Sequence, residues 1–167
     1  MSLMRYILKE YSRGVDYLYH FTNAHAIESI LQQNKLVANV PNDIKRHPEY
    51  YPDELQDRKS VSLTVNSYME SFGDFRIKLN RKSLERDYEL AEFTDPSLSG
   101  SYEREVIVLH DIQPLDKYIA DITCLYYTTD DYDSKYTNKV IKKVVEKYGN
   151  KIDFKILKNE GFEDNTL

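Results

Sequence analysis

The sequence has no tryptophan, one cysteine, and only five glycines and five prolines in 167 residues. A lone cysteine, Cys124, can form neither an intrachain disulfide nor a structural zinc site, so the fold is expected to rest on its core, in a reducing compartment. No run of about 18 apolar residues occurs, which leaves no candidate for a membrane-spanning helix. The opening MSLMRYILKEYSRG lacks the apolar centre of a secretion signal, and a cytoplasmic location without membrane contact is expected. The four histidines, His20, His25, His47 and His110, fall at no metal-ligand spacing, so no metal is expected. Glycine-rich phosphate cradles of the GxGxxG and GxxxxGK[ST] types are missing. The net charge of −5 lacks the basic excess that a broad nucleic-acid surface needs. Arg76, Lys78, Arg81, Lys82 and Arg86 form one local basic run; with Glu85, Asp87 and Glu89 interleaved at its end it reads first as a solvated face and second as a phosphate or acidic-ligand contact.

What the chain has is tyrosine, fifteen of them, which suits half-buried strands and aromatic-lined clefts alike. Its length allows roughly two thirds of the unfolded surface to be buried. With no repeat or low-complexity linker, a single domain is expected over residues 1–167, with a fraying tail from about 159. Tyr17–Thr22 (YLYHFT) reads as a strand, Asn23 as the N-cap of a helix carrying Ala26, Ile27, Ile30 and Leu31 to Gln33, and Asn34 as its stop. Leu36 and Val37 begin a short extended piece ahead of a charged, proline-containing loop to residue 59, long enough to suggest a functional role. Ser60–Asn66 alternates, with Val61, Leu63 and Val65 on one face and Ser62, Thr64 and Asn66 on the other. SYMESF reads as a helical turn, Phe75–Leu79 as a strand, Asn80–Tyr88 as a short helix and AEFTDPSLSGS as a loop. EREVIVLHDI and ITCLYYTT read as strands, TTDDYDS as a turn, Thr137–Tyr148 as an amphipathic helix capped by Gly149, and Ile152–Leu157 as a last strand. This irregular mixture predicts an α+β fold with split, mixed or antiparallel sheets and flanking helices, not a doubly wound one.

Three stretches carry candidate chemistry: Tyr19-His20-Phe21-Thr22, Ser62-Leu63-Thr64, and Glu103-Arg104-Glu105 running into Val106-Ile107-Val108. Two residues apart on a strand, Glu103 and Glu105 share a face, their carboxylates about 7 Å apart. Such a pair suits a reaction in which one anion steadies a developing positive charge while the other takes a proton. Cleavage of an N-glycosidic bond to ribose, through an oxocarbenium-like transition state, is one. The plainer reading of the pair is a solvated strand edge. Cys124, among apolar residues, reads as an inert thiol, Asp130, Asp131 and Asp133 as a solvated turn, with calcium binding the alternative, and His25 as a surface residue.

The order of the three stretches resembles the ADP-ribosyltransferase family, and YHFT followed by a capped helix is similar to the start of its DNA-targeting and RNA phosphotransferase relatives. The resemblance implies an ADP-ribosyltransferase-like fold and NAD as substrate, without a metal. His20 would hold the ribose of the adenosine half with Thr22 beside it. Ser62, Thr64 and Tyr68 would line the nicotinamide pocket. Glu105 would bond the 2′-hydroxyl of the nicotinamide ribose, and Glu103 would orient or deprotonate the acceptor, a protein or nucleic acid. The histidine-type first motif, the serine-type middle and the ExE end belong to different branches of that family. A non-catalytic interaction module, such as a phage or mobile-element protein binding a host factor through its tyrosines and the 41–59 loop, is the alternative. A hydrolase acting on RNA or a phosphorylated sugar would require basic residues gathered in the same cleft.

Overall fold

The structure, a computed structural model, describes residues 15–40, 59–67, 73–94 and 104–159. Within them the chain forms β1 (Tyr17–Thr22), α1 (Ala24–Gln33), β2 (Val61–Thr64), β3 (Phe75–Asn80), α2 (Arg81–Asp87), β4 (Leu90–Thr94), β5 (Arg104–Val108), a 3-10 turn (Leu115–Lys117), β6 (Ile119–Tyr127), α3 (Tyr132–Tyr148) and β7 (Phe154–Asn159). All seven strands belong to one sheet, in the order β4-β5-β2-β1-β3-β6-β7. Every neighbouring pair is antiparallel except β6 with β7, which are parallel and joined by the α3 crossover. The fold is therefore α+β with a mixed sheet.

Strand alternation sets the two faces. Leu18, Leu63, Ile77, Leu79, Val106, Val108, Ile122 and Cys124 point to one side and are buried there. α1 lends Ala24, Ile27 and Leu31 to the same core, and α3 lends Val140, Ile141 and Val144. On the opposite face the register aligns Tyr19 with Lys78, Phe21 with Arg76, Lys78 with Asp121 and Arg76 with Thr123. In the basic run Lys82 and Arg86 are solvated as expected, whereas Arg76, Lys78 and Arg81 are not. Arg76 bonds Thr123 and the Ser67 carbonyl, Lys78 pairs with the buried Asp121, and Arg81 is itself buried, with its Nε on Glu85.

Local chemistry explains most boundaries. The Asn23 side chain accepts from the backbone of His25 and Ala26, and Asp74 accepts from Ala24, so the opening turn of α1 has its free N–H groups met. Asp74 reaches that position because Gly73 takes a positive φ of 128° and lies against the Thr22 carbonyl, where a Cβ would collide. Asn34 ends α1 in the left-handed region and sends its carbonyl and amide oxygens to Leu115 and Asp116. Three expectations are corrected. Leu90–Thr94 is a strand rather than the start of a loop, because pairing with the apolar β5 outweighs its weak local signal. The turn expected at 128–134 gives way to α3 at Tyr132, since Asp131 caps it by accepting from Ser134. β6 begins at Ile119, earlier than the apolar run suggests, because Ile119 and Asp121 pair with β3. The SYMESF turn past Ser67, the 41–58 loop and the tail from 160 lie outside the described residues. No described helix is long and apolar enough to cross a membrane.

Candidate functional site

β5, β2 and β1 are consecutive in the sheet, which carries residues more than forty positions apart in sequence to one seam. β2 aligns with β5 over four residues, Thr64 opposite Glu105 and Ser62 opposite Ile107. β1 aligns with β3 over six. Between β1 and β2 one pair alone is in register, Tyr19 with Thr64. All seven strands form one continuous sheet, so the split into separate sheets expected from the sequence is not observed; the β1–β2 pairing is its thinnest.

A side chain takes over where the backbone ladder thins. The Nδ1 of His20 lies 3.0 Å from the carbonyl oxygen of Ser62. A carbonyl can only accept, so Nδ1 carries the hydrogen and Nε2 of the neutral ring is left as an acceptor. The residue keeps part of its surface in water, but the ring is closely surrounded, and burial holds its pKa below the ordinary 6.5 against the opposing pull of the Ser62 carbonyl. The hydroxyl of Ser62 donates to Oε1 of Glu105 at 2.6 Å. A carboxylate with one oxygen tied to a neighbouring hydroxyl has a fixed orientation and one oxygen free for other partners. Ser62 thus joins His20 to Glu105, through its carbonyl on one side and its hydroxyl on the other.

Strand alternation sets His20 and Glu105 on opposite faces of the sheet. His20 stands in the row of Leu18 and Thr22, whereas Glu105 shares a face with Thr64 and Tyr19. The two side chains spring from opposite faces and are linked at the seam, not laid side by side. Thr64 is buried directly opposite Glu105, and its hydroxyl accepts from the Asn66 amide. Thr22 is buried at the end of β1. Tyr68 and Glu103 lie outside the described residues.

A cleft of about 470 Å³ opens beside His20, Thr22 and Ser62, large enough for a nucleoside-sized ligand. One wall is a single side of α1: Ala26, Ser29, Ile30 and Gln33 follow the i, i+3, i+4, i+7 spacing. The other is the segment 35–40, which sequence reasoning placed only as a short extended piece. It is held by bridges from Leu36 to Ile112 and from Asn39 to Ser60, and by the Ala38 amide on Asp111 at 2.7 Å. That amide, with Lys35 at 3.4 Å, keeps the Asp111 carboxyl below the usual carboxylate range. These wall residues carry no motif; helical spacing from Ala26 to Gln33 was the one signal that could have grouped them.

Among the described residues no three His, Cys, Asp or Glu side chains gather to hold a metal ion. Cys124 is fully buried and its thiol is pushed up to about 12, which leaves it almost wholly protonated and a poor nucleophile. His25 stacks on Tyr136 at the α1–α3 contact, 4.7 Å between ring centroids, away from the seam. No family model matches the chain, and no curated protein is significantly similar to it.

Proposed function

We propose that the protein is an ADP-ribosyltransferase-like, NAD-dependent mono-ADP-ribosyltransferase, which breaks the nicotinamide–ribose bond and passes ADP-ribose to a protein or nucleic-acid acceptor. The observation that carries this reading is the Ser62 link: a serine that orients a carboxylate through its hydroxyl and an imidazole through its carbonyl, at the edge of a nucleoside-sized cleft. The adenosine half of NAD lies along α1, where the free Nε2 of His20 accepts from a ribose hydroxyl and Thr22 closes the end. Glu105 lies outside the cleft lining and on the other face of the sheet, so in this reading the nicotinamide ribose reaches it around the Thr64 end of β2. As the C1′–N bond breaks, its electron pair leaves with nicotinamide, now neutral, and positive charge spreads over C1′ and the ring oxygen. The Glu105 carboxylate steadies that charge, and Ser62 prevents it from rotating away. The acceptor nucleophile then bonds to C1′ and gives up its proton.

Replacing Glu105 with Gln keeps the shape and the contact with Ser62 but removes the negative charge. Nicotinamide release is expected to fall roughly a hundredfold or more, with NAD still raising the melting temperature. Ser62→Ala is expected to cost less, roughly ten- to a hundredfold, since it deletes one hydrogen bond to a charged group. Full turnover in E105Q would remove Glu105 from the chemistry. Absence of any NAD-dependent thermal shift in the unaltered chain would favour the non-catalytic interaction module instead.

A further inference from the structure

Charge is unevenly shared along the chain. Between residues 135 and 158 there are eight lysines, no arginine and two acids, Glu146 and Asp153, a net +6 in a chain of −5, which leaves −11 to the rest. These residues make up most of α3 and nearly all of β7, and they form one end of the molecule, because β7 is the last strand of the sheet and α3 packs on its neighbour β6. Three of the lysines are paired: Lys135 with Asp130, Lys143 with Glu28 and Lys155 with Asp121. Lys139, Lys142, Lys147, Lys151 and Lys158 are exposed and form no ion pair among the described residues. On α3, Lys135, Lys139, Lys143 and Lys147 follow one another at i, i+4, a spacing at which like charges repel. A helix that served the core alone, through Val140, Ile141 and Val144, would gain nothing from that cost. The same end holds Ile156 and Leu157, 51% and 53% exposed and two of the four large hydrophobic residues left open to solvent among those described. Ile156 aligns with Cys124 on the helix-covered face of the sheet and Leu157 with Leu125 on the other, so the outermost strand offers aliphatic carbon on both sides, between Lys155 and Lys158.

We propose that the α3–β7 end is a docking surface for an anionic lipid bilayer, its lysines meeting the headgroups while Ile156 and Leu157 enter the interface. Anionic phosphates of any kind would answer the lysines, but a soluble polyanion leaves the aliphatic pair in water, whereas a bilayer takes both. The contact is peripheral: α3 turns its apolar side to the core, and no described helix is long and apolar enough to cross a membrane. The expectation of no membrane contact rested on the lack of spanning and secretion segments, neither of which such adsorption needs. β7 lies three strands from β1 and its His20, so this surface is separate from the cleft and stands independently of the transferase reading.

The test is co-sedimentation of the full-length chain with vesicles of phosphatidylcholine alone and of equimolar phosphatidylcholine and phosphatidylserine. Binding is expected to the anionic vesicles only, and to weaken as added salt shortens the screening length. A triple variant, Lys142→Gln with Lys151→Gln and Lys158→Gln, removes three exposed charges and touches no core residue. At roughly fivefold per lysine it is expected to bind roughly a hundredfold more weakly, with a melting temperature no lower than that of the unaltered chain. Ile156→Ser with Leu157→Ser keeps every lysine and is expected to weaken binding about tenfold or more. No binding to the anionic vesicles, equal binding to the neutral ones, or indifference to the triple variant would overturn the proposal. Unweakened binding by the Ile156 and Leu157 double variant, or tighter binding of an oligonucleotide than of the anionic vesicles, would overturn it as well and assign the lysines to a soluble polyanion.

Discussion

His20 illustrates how one side chain serves two scales of organisation. It closes the β1–β2 seam by donating to the Ser62 carbonyl, and the same bond dictates which nitrogen remains an acceptor. Because burial lowers its pKa in the folded state, the unfolded chain binds a proton at higher pH than the native one does. The stability that His20 contributes by remaining neutral is therefore present above the ordinary 6.5 and lost as the pH falls below it toward the lowered folded value. Urea denaturation of the unaltered chain should show a steeper loss of stability from about pH 7 to about pH 5 than His20→Gln, which keeps a donor but cannot titrate. Identical pH profiles would mean that the ring is not held neutral by its surroundings. Ser62 shows a related economy: its carbonyl accepts from His20 while its hydroxyl donates to Glu105.

At the scale of elements, α1 is the piece on which both core and cleft depend. Ala24, Ile27 and Leu31 turn into the core, while Ala26, Ser29, Ile30 and Gln33 turn into the cleft. Its start is secured by Asn23 and Asp74, and Asp74 also accepts from Tyr127, tying the helix to the end of β6. Asn23→Ala is expected to destabilise the protein by about 1 kcal/mol, and Ile27→Ala by about 2–5 kcal/mol. Equilibrium unfolding measures both, and a cost for I27A no larger than for N23A would contradict the placement of Ile27 in a tight core. The boundaries of α1 and β1 were legible in the sequence because each has a strong local cause: the aromatic, β-branched YLYHFT, the Asn23 cap and the Asn34 stop. Leu90–Thr94 was not, because its extended conformation is imposed by the ladder to β5. The start of α3 was hidden by the aspartates and threonines of 128–134, residues equally at home in a turn and in a helix cap.

Across the whole molecule the backbone register of the sheet is thinnest between β1 and β2. β4, β5 and β2 are laced together on one side, and β1, β3, β6 and β7 on the other, with Tyr19 opposite Thr64 and the His20 side chain between. Native-state hydrogen exchange should resolve two protection groups along that seam, the β1-β3-β6 amides being the slower because α3 packs on β6 and α2 on β1 and β3. Exchange of all seven strands as one unit would show that the seam is no weaker than the rest.

Sequence by itself determined the mixed α+β class, the alternating apolar face, most strands, the caps of α1 and the inert character of Cys124, all of which follow from neighbours within a few residues or from side-chain chemistry alone. It also singled out His20, Ser62 and Glu105 as residue types, on a resemblance, without a distance between any two of them. Only the tertiary structure decided that β2 lies between β1 and β5, that Ser62 links the other two, that His20 and Glu105 approach the seam from opposite faces, and that the unmarked residues of α1 and 35–40 enclose a cleft. The reason is physical: the order and register of strands are set by long-range backbone pairing and by the burial of one whole face at once, and neither is encoded in any local stretch of chain.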